Sequence, residues 1–287
     1  MDAKWVRCSR ANPCVVCKRP DWCSVSADGT AAHCMRIAGG REVKSGGYIH
    51  RLDETIVVAP AKEVKNLADV SAIAAKMFKD KLAGEKREKL AKQLGVSVAS
   101  LESLHCGIGW DYDSKEFASF PARDEACKVI GITRRYGDGR KMTMAGTSNR
   151  GVFVPESWWT KEGPILIVEG ASDVAALTTH GFAALGRPSN IGGVEIIASY
   201  LDRRADYRDV LVVGENDRKP NRPGTADHCP KDCEGCSWCW PGRYGAKRVA
   251  TALNVPWAIL PQPFKDIRQW MTIVSDFPAS LSEWLDS

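Results

Sequence analysis

Acidic side chains follow two apolar runs of the sequence, at the point where each run ends. Glu169 comes directly after the run 165–168, and Glu215 and Asp217 follow the run 210–213. Fully apolar runs of this length are typical of strands in a parallel sheet that is covered on both faces. Since the carboxyl ends of parallel strands lie along one edge, we expect the three carboxylates to meet there. Clustered carboxylates suit Mg²⁺ or Mn²⁺, so the sequence predicts a divalent-metal site at this edge.

Two further carboxylates are expected at the same edge and complete the predicted set of metal ligands. Asp173 lies in the first turn of the helix expected after Glu169, and Asp266 follows the apolar stretch 257–260. Helix N-caps and solvated loop positions are the alternative for these acids, because carboxylates are common at both. Because acidic residues follow several of the predicted strands, the metal site is favoured over the N-cap and loop alternatives.

Nine of the 11 cysteines lie in two short tracts, one near each end of the chain. Clustered cysteines at CxxC spacing in a reducing compartment indicate metal ligands rather than disulfides. In the first tract, the expected ligands of a structural Zn²⁺ are Cys14, Cys17, Cys23 and Cys34. His33 in place of Cys23, and Cys8 as an additional donor, are the alternatives.

The second tract lies inside residues 226–241, shortly after Asp217. Its spacing predicts a second metal centre, with Zn²⁺ as the main interpretation and a 4Fe–4S cluster as the alternative. The expected ligands are Cys229, Cys233, Cys236 and Cys239. Because this insertion follows the acidic pair so closely, its metal would brace a loop near the predicted magnesium site.

The amino-acid composition is that of a globular protein. The chain has 287 residues, of which 44% are hydrophobic and 26% charged, which is ordinary globular composition. Its net charge of +5 permits a nucleic-acid partner without demonstrating one. No apolar run approaches the roughly 20 residues of a membrane span, and the first residues lack the apolar core of a signal peptide. We therefore expect a cytoplasmic protein with no membrane partner.

Local patterns indicate the elements that would position these residues. Residues 67–104 are expected to form helices, the second ending at Gly95 and the third beginning after Ser97. Residues 106–154 alternate short strands with turns, as in an antiparallel or mixed sheet. Beyond residue 164, strands alternate with helices, which favours a parallel sheet. The helices are expected at 172–180, 193–202 and 245–253.

The two apolar runs and their acids carry a resemblance to a known fold. ILIVEGASDVAAL followed by VLVVGENDRK resembles the TOPRIM fold of primases, type IA and II topoisomerases and related nucleases. The resemblance implies that Glu169 takes part in acid–base or metal chemistry and that Glu215 and Asp217 hold magnesium. Glu215 stands where Asp is usual. Lys265-Asp266 resembles the Lys-Asp of primases, although the acids that normally follow are absent.

The segment before these motifs narrows the resemblance. Residues 120–153, from FPARD through VIG and the basic strand to GVF, resemble the segment that precedes TOPRIM in bacterial and phage replicative primases. That resemblance implies that Arg134, Arg135 and Lys141 contact phosphates of the incoming nucleotide or the template, and that Arg123 does the same. A surface ion pair with Asp124 or Glu125 is the alternative for Arg123.

The resemblance also implies a domain order and an activity. Primases of this type carry an N-terminal zinc-binding module that helps to select the template site, so Trp22 and Arg36 are expected to contact single-stranded DNA. The expected fold class is α+β and multidomain. Its parts are a zinc ribbon (1–52), a linker (53–66), a mixed α/β primase subdomain (67–158) and an α/β TOPRIM domain with a central parallel sheet (159–287).

The function predicted is synthesis of short RNA primers on a single-stranded DNA template from ribonucleoside triphosphates. A replicative helicase would be a separate chain, because no GxxxxGK[ST] motif is present. The alternatives are a TOPRIM nuclease, a non-catalytic zinc-containing single-stranded DNA-binding protein, and a regulator that reads DNA through a helix-turn-helix near Gly95. Ribonucleotide and deoxyribonucleotide substrates are not distinguished by the sequence.

Overall fold

The computed structural model describes residues 5–9, 12–43, 46–52, 69–204, 209–219, 235–237 and 239–286. It divides into two compact units, Met1–Lys65 and Asn66–Ser287. The predicted linker, residues 53–66, lies outside the described residues.

Within its described residues, the N-terminal unit is an antiparallel sheet with strand order β1-β2-β3-β5-β4. Its strands are β1 (Trp5–Arg7), β2 (Ser24–Ser26), β3 (Ala31–Cys34), β4 (Arg41–Glu42) and β5 (Tyr48–Arg51). Strands β2 and β3 pair as an antiparallel hairpin. Asp28 closes its turn by accepting hydrogen bonds from the Thr30 amide and hydroxyl, at 3.1 and 2.9 Å.

The second unit begins with helices α1 (Val70–Phe78), α2 (Ala83–Leu94) and α3 (Val98–Ser103). Gly95 ends α2 with a φ of 72°, a left-handed conformation that glycine adopts without steric cost. Ser97 begins α3, since its Oγ accepts a hydrogen bond from the Ser100 amide at 3.1 Å. Both helix boundaries agree with the prediction from the sequence.

An antiparallel sheet follows, with strand order β6-β7-β8-β9. The strands are β6 (Gly107–Trp110), β7 (Glu116–Arg123), β8 (Val129–Tyr136) and β9 (Lys141–Thr143). Val152 and Phe153, at the end of the segment expected to alternate strands with turns, form only isolated bridges, Arg123 with Val152 and Phe153 with Gly186. These bridges connect the antiparallel sheet to the parallel sheet described next. A 3-10 helix, Glu156–Trp159, comes between the two sheets along the chain.

The predicted parallel sheet is present, with strand order β11-β10-β12-β13. Its strands are β10 (Ile165–Glu169), β11 (Ala183–Arg187), β12 (Val210–Gly214) and β13 (Trp257–Ile259). Alternate residues of β10 enter different cores: Ile165 and Ile167 pack on one face, Leu166 and Val168 on the other. Burial on both faces explains why the strand is apolar throughout.

Five helices of the described residues belong to the same part of the chain. They are α4 (Ala171–Thr179), α5 (Val194–Asp202), α6 (Pro241–Leu253), α7 (Ile267–Ile273) and α8 (Phe277–Asp286). Helix α6 begins at Pro241 rather than at Gly245, because proline is well tolerated at the first helical position. Helices α7 and α8 were not expected. The Trp270 indole, edge-on to Phe277 and Trp284, packs them together.

In the described parts of the chain, no helix combines the length and the apolar character that crossing a membrane requires.

Candidate active site and thiol cluster

Glu169 and Arg187 are register partners at the carboxyl ends of β10 and β11. The Arg187 side chain is completely buried. Its Nη2 donates to the Val213 carbonyl at 3.1 Å, and its Nη1 donates to the Asn190 carbonyl. Burial raises the pKa of Glu169, while the charges of Arg187 and Lys141 act in the opposite direction. A fixed cation therefore lies beside the first predicted acid.

Glu215 and Asp217 follow β12 and lie in the same cluster of charges. Burial raises the pKa of Glu215 to about 8, and the like charges of Glu169, Asp173 and Asp217 add to that effect. Strands β10 and β12 are parallel neighbours in the sheet, so the acids at their carboxyl ends lie side by side. The structure thus brings Glu169, Asp173, Glu215 and Asp217 to one edge of the parallel sheet.

The carboxylate of Asp217 has the surroundings expected of a metal ligand. The residue is 8% exposed, and among the described residues no hydrogen-bond partner reaches its buried Oδ1. Its Oδ2 forms an ion pair with the Lys219 ammonium. A buried carboxylate oxygen without a partner is costly, and a bound divalent cation would satisfy it. The donor set therefore fits Mg²⁺ or Mn²⁺.

Asp173 and Asp266 form a second pair of acids next to these. Asp173 lies in the first turn of α4, where burial and then the charge of Asp266 raise its pKa to about 7. Lys141 and the backbone amide of Arg268 oppose that shift. Asp266 is also the N-cap of α7, because its Oδ1 accepts from the Gln269 amide at 2.8 Å. The N-cap interpretation therefore holds for Asp266, and a metal role would use its other oxygen.

Basic side chains face this acidic edge from the antiparallel sheet. Arg135 and Lys141 are paired residues on β8 and β9, so their side chains leave the same face of that sheet. Both line a cleft of about 160 Å³ that Glu169 also lines. Burial lowers the pKa of Arg135, and the Arg268 charge adds to this effect, whereas Asp266 and Asp173 oppose it. Glu169 and the two cations Arg135 and Lys141 therefore line one cleft.

Arg134 and Arg123 lie elsewhere. Side chains alternate along a strand, so Arg134 leaves the opposite face of β8 from Arg135. Its guanidinium lies 5.5 Å from the Phe117 ring centroid and 5.8 Å from that of Tyr136. Arg123 donates to the Cys127 carbonyl at 3.0 Å and so braces the β7–β8 turn. Neither arginine lines the cleft that Glu169, Arg135 and Lys141 share. Contacts of Arg134 and Arg123 with nucleotide or template stay predictions.

Arg187 and Lys219 are site residues that sequence reasoning missed. Arg187 ends the apolar stretch 183–186 just as Glu169 ends its own, so the same strand-end signal pointed to it. Lys219 lies two residues after Asp217 and outside any regular pattern. Both lie outside residues 120–153, the segment whose resemblance implied the other cations.

In the N-terminal unit, a group of four cysteines has sulfur atoms that lie within 4.8 Å of one another. The four are Cys14, Cys17, Cys23 and Cys34. The Sγ atoms of Cys17 and Cys23 are 3.6 Å apart, and those of Cys23 and Cys34 are 4.0 Å apart. Four converging thiols form the ligand set of a closed structural zinc site.

Neighbouring groups support Cys23 and Cys34 as members of the cluster. Backbone amides of Met35 and Ile37 donate to the sulfur atoms of Cys23 and Cys34, each at 3.4 Å. His33 instead forms a 2.8 Å hydrogen bond through Nε2 with the Gly46 carbonyl. The structure therefore favours Cys23 over the His33 alternative.

Arg36 lies against the thiols. Its Nη1 is 3.8 Å from the Cys17 sulfur, 3.7 Å from the Cys23 sulfur and 2.7 Å from the Asp21 carbonyl oxygen. A guanidinium here would offset the negative charge of thiolates, which is a different role from the predicted contact with DNA. Trp22 is 73% exposed and offers an open ring face. Contacts of both residues with DNA stay predictions.

Only half of the second cysteine tract falls within the described residues. Cys239 is buried, and its amide donates to the Cys236 sulfur at 3.2 Å. Its carbonyl accepts from the Lys219 amide at 2.8 Å. Cys229 and Cys233 lie outside the described residues, so the predicted second metal centre is not tested.

No protein-family model matches the sequence, and no curated protein matches it by sequence. Solved structures match by fold. The DnaG primase catalytic domain bound to single-stranded DNA superposes with a TM-score of 0.51 at 15% identity, covering 75% of this chain and 76% of that chain. The DnaG catalytic core gives 0.50 at 15% identity, covering 75% and 77%. The primase fragment of the bacteriophage T7 primase-helicase protein gives 0.49 at 13% identity, covering 98% and 99%.

The two DnaG structures establish what this chain shares with known proteins. The chain has the fold of a primase catalytic core, and the cluster of four thiols precedes that core. At 15% identity, this likeness establishes the fold alone. The expected fold class, α+β with a zinc-ribbon-like module and a central parallel sheet, is confirmed.

Proposed function

We propose that this protein is a DNA primase that synthesises short RNA primers on single-stranded DNA. One observation carries the proposal: Glu169, Arg135 and Lys141 line the same cleft, beside the other acids of the cluster. A nucleotidyl-transfer site needs carboxylates for divalent metal and cations for triphosphate. The cleft contributes Glu169 and both cations, and Glu215 and Asp217 follow the neighbouring parallel strand β12. The primase-core fold supports the same activity.

Glu215 and Asp217 would hold Mg²⁺ or Mn²⁺, with Glu169 as a further ligand or as the proton acceptor. When bound, the cation lowers the pKa of an attacking hydroxyl and stabilises charge on the phosphorus. Arg187 and Lys141 favour the ionised form of Glu169, which is the form that accepts a proton. Asp173 and Asp266 are the candidate ligands of a second cation.

Lys141 and Arg135 would bind the phosphates of the incoming ribonucleotide. Arg suits bidentate contact with phosphate oxygens, and Lys provides a compact charge that neutralises them in the transition state. Arg134 and Arg123 would contact the template or phosphate from outside the cleft.

Zinc would be bound by the Cys14 cluster and, as a second centre, by Cys229, Cys233, Cys236 and Cys239. The N-terminal module would engage the template before initiation, with the open ring of Trp22 stacking on a base. A replicative helicase would act on a separate chain, and the protein would work in the cytoplasm.

The test is a primer-synthesis assay on single-stranded DNA with Mg²⁺ or Mn²⁺ and labelled ribo- or deoxyribonucleotides. Wild type is compared with Asp217→Ala and with Asp113→Ala, which removes an exposed carboxylate from a turn. We expect short labelled RNA from wild type and Asp113→Ala only. Degradation of the template by wild type, lost in Asp217→Ala, would show a nuclease in place of a primase. If wild type neither makes primers nor degrades the template, a DNA-binding protein is the alternative that remains.

A further inference from the structure

Asn216 lies between the two acids of the predicted metal site and is held from three directions. Its backbone amide donates to the Lys265 carbonyl at 2.8 Å. Its side-chain Nδ2 donates to the Leu260 carbonyl at 3.0 Å. Its Oδ1 accepts from Nη2 of Arg243 at 2.8 Å. These bonds connect the acidic turn to the end of β13, to the loop before α7 and to α6.

Arg243 is itself held in place by the residues around it. Its guanidinium carbon lies 3.8 Å from the centroid of the Trp240 ring, a close cation–π contact. Trp240 directly follows Cys239, whose carbonyl accepts from the Lys219 amide at 2.8 Å. The short segment 239–243 therefore holds the chain on both sides of Asp217.

Gly242 shows how closely this segment approaches the acids. A Cβ atom at Gly242 would lie 2.6 Å from the Glu215 carbonyl oxygen, 2.8 Å from the Glu215 Cβ and 3.1 Å from Asp217 Oδ1. No side chain fits in that space. The first turn of α6 is thus seated directly on the acidic pair, and movement of this turn would move both carboxylates.

We infer that Asn216 and Arg243 are positioning residues for the metal-binding acids, and that metal affinity depends on their contact. The inference rests on the proposed metal site at Glu215 and Asp217. If Arg243 acted on the metal only through its positive charge, it would repel the metal, and its removal would strengthen metal binding. Loss of a positioning contact has the opposite sign, since misplaced carboxylates bind more weakly.

Mn²⁺ binding, followed by electron paramagnetic resonance without nucleotide or template, separates the two effects. Mn²⁺ binding that wild type shows and Asp217→Ala lacks is assigned to the proposed metal site. We expect Mn²⁺ affinity to fall about tenfold in Arg243→Met and in Asn216→Ala, the usual scale for removing a group that orients a metal ligand. The double variant should lose less affinity than the two single losses combined, because both substitutions remove the same contact between Asn216 and Arg243.

Arg248→Met is the matched control. Arg248 lies on the same helix and contacts an aromatic residue in a similar way, with its guanidinium 5.8 Å from the Tyr244 ring, but it is exposed. We expect its Mn²⁺ affinity to stay within about twofold of wild type, because no contact links it to the acids.

Unchanged or tighter Mn²⁺ binding in Arg243→Met and Asn216→Ala would overturn the inference. If Arg243→Met does not fold, the neutral Asn216→Ala decides alone. Wild type that binds Mn²⁺ through Asp217 but makes no primers would refute the proposed activity and leave this inference standing. If wild type shows no Mn²⁺ binding that depends on Asp217, both the proposed activity and this inference are overturned.

Discussion

Arg187 and Glu169 are register partners at the ends of adjacent parallel strands, and the guanidinium of Arg187 is wholly buried beneath the acidic cluster. Burial lowers the pKa of Arg187, whereas the charges of Glu169, Glu215 and Asp173 hold it up. The acids and the buried cation therefore stabilise each other's charged forms in an environment that otherwise disfavours charge.

Replacement of Arg187 by Met should lower the free energy of unfolding of the metal-free protein by about 3 kcal/mol, because the acids lose their buried counter-charge. Urea denaturation at pH 7 measures this. Arg150→Met, which removes an exposed arginine, is the control. Addition of Glu169→Gln to Arg187→Met should restore part of the stability, and a fully additive loss would contradict the pairing.

The acids at the strand ends could be predicted because each follows an apolar run that only a buried strand explains. Glu169 and Asp217 lie where that argument places them. The same argument applied to residues 183–187 would have predicted Arg187, since it follows the strand pattern with a basic residue in place of an acid. The apolar runs therefore locate the edge of the sheet, and acidic and basic residues that follow such runs both lie at it.

The contact between Asn216 and Arg243 could not be predicted from the sequence. It depends on α6 beginning at Pro241 and on the chain returning to the acidic turn after the cysteine tract. Pro241 is a local signal for the start of a helix, but the return of the chain to the acidic turn leaves none. The opposite directions of Arg134 and Arg135, by contrast, follow from strand alternation once β8 is assigned.

The stability of the metal-free protein should fall as pH rises from about 4 to about 8. Burial is the main reason that the pKa of Asp173 is raised to about 7 and that of Glu215 to about 8. In the unfolded chain these groups have pKa values of about 3.9 and 4.3. The folded state binds more protons over this window, so the free energy of unfolding decreases with pH.

Scanning calorimetry in buffer free of Mg²⁺ and Mn²⁺, without a chelator that would also remove zinc from the thiols, tests this trend. We expect the melting temperature at pH 8.5 to be at least about 5 °C below that at pH 5.5. The double variant Asp173→Asn, Glu215→Gln should show a flatter profile, because neither amide titrates. Equal slopes in the variant and the wild type would assign the trend to other groups.

The thiol cluster should matter for starting a primer more than for lengthening one. Cys14→Ser with Cys17→Ser removes two of the four converging thiols, so the protein should lose one zinc by elemental analysis. Synthesis from template alone should fall more than extension of a supplied primer, because the supplied primer bypasses template selection. Cys127→Ser, in the β7–β8 turn, is the control and should leave both reactions unchanged. Equal loss in the two assays would contradict a template-selecting module.

Glu169→Gln should reduce primer synthesis by at least about 100-fold, the scale of a lost acid–base group. Glutamine matches the shape of glutamate, and burial already disfavours the charged form of Glu169 by raising its pKa. Zinc content should therefore stay close to wild type, and the melting temperature should fall less than in Arg187→Met, because the charges of Glu215 and Asp173 still act on the buried guanidinium. Glu125→Gln, an exposed carboxylate in the β7–β8 turn, is the matched control and should retain activity. Synthesis retained by Glu169→Gln would exclude Glu169 as proton acceptor or metal ligand and leave Glu215 and Asp217 to bind the cation alone.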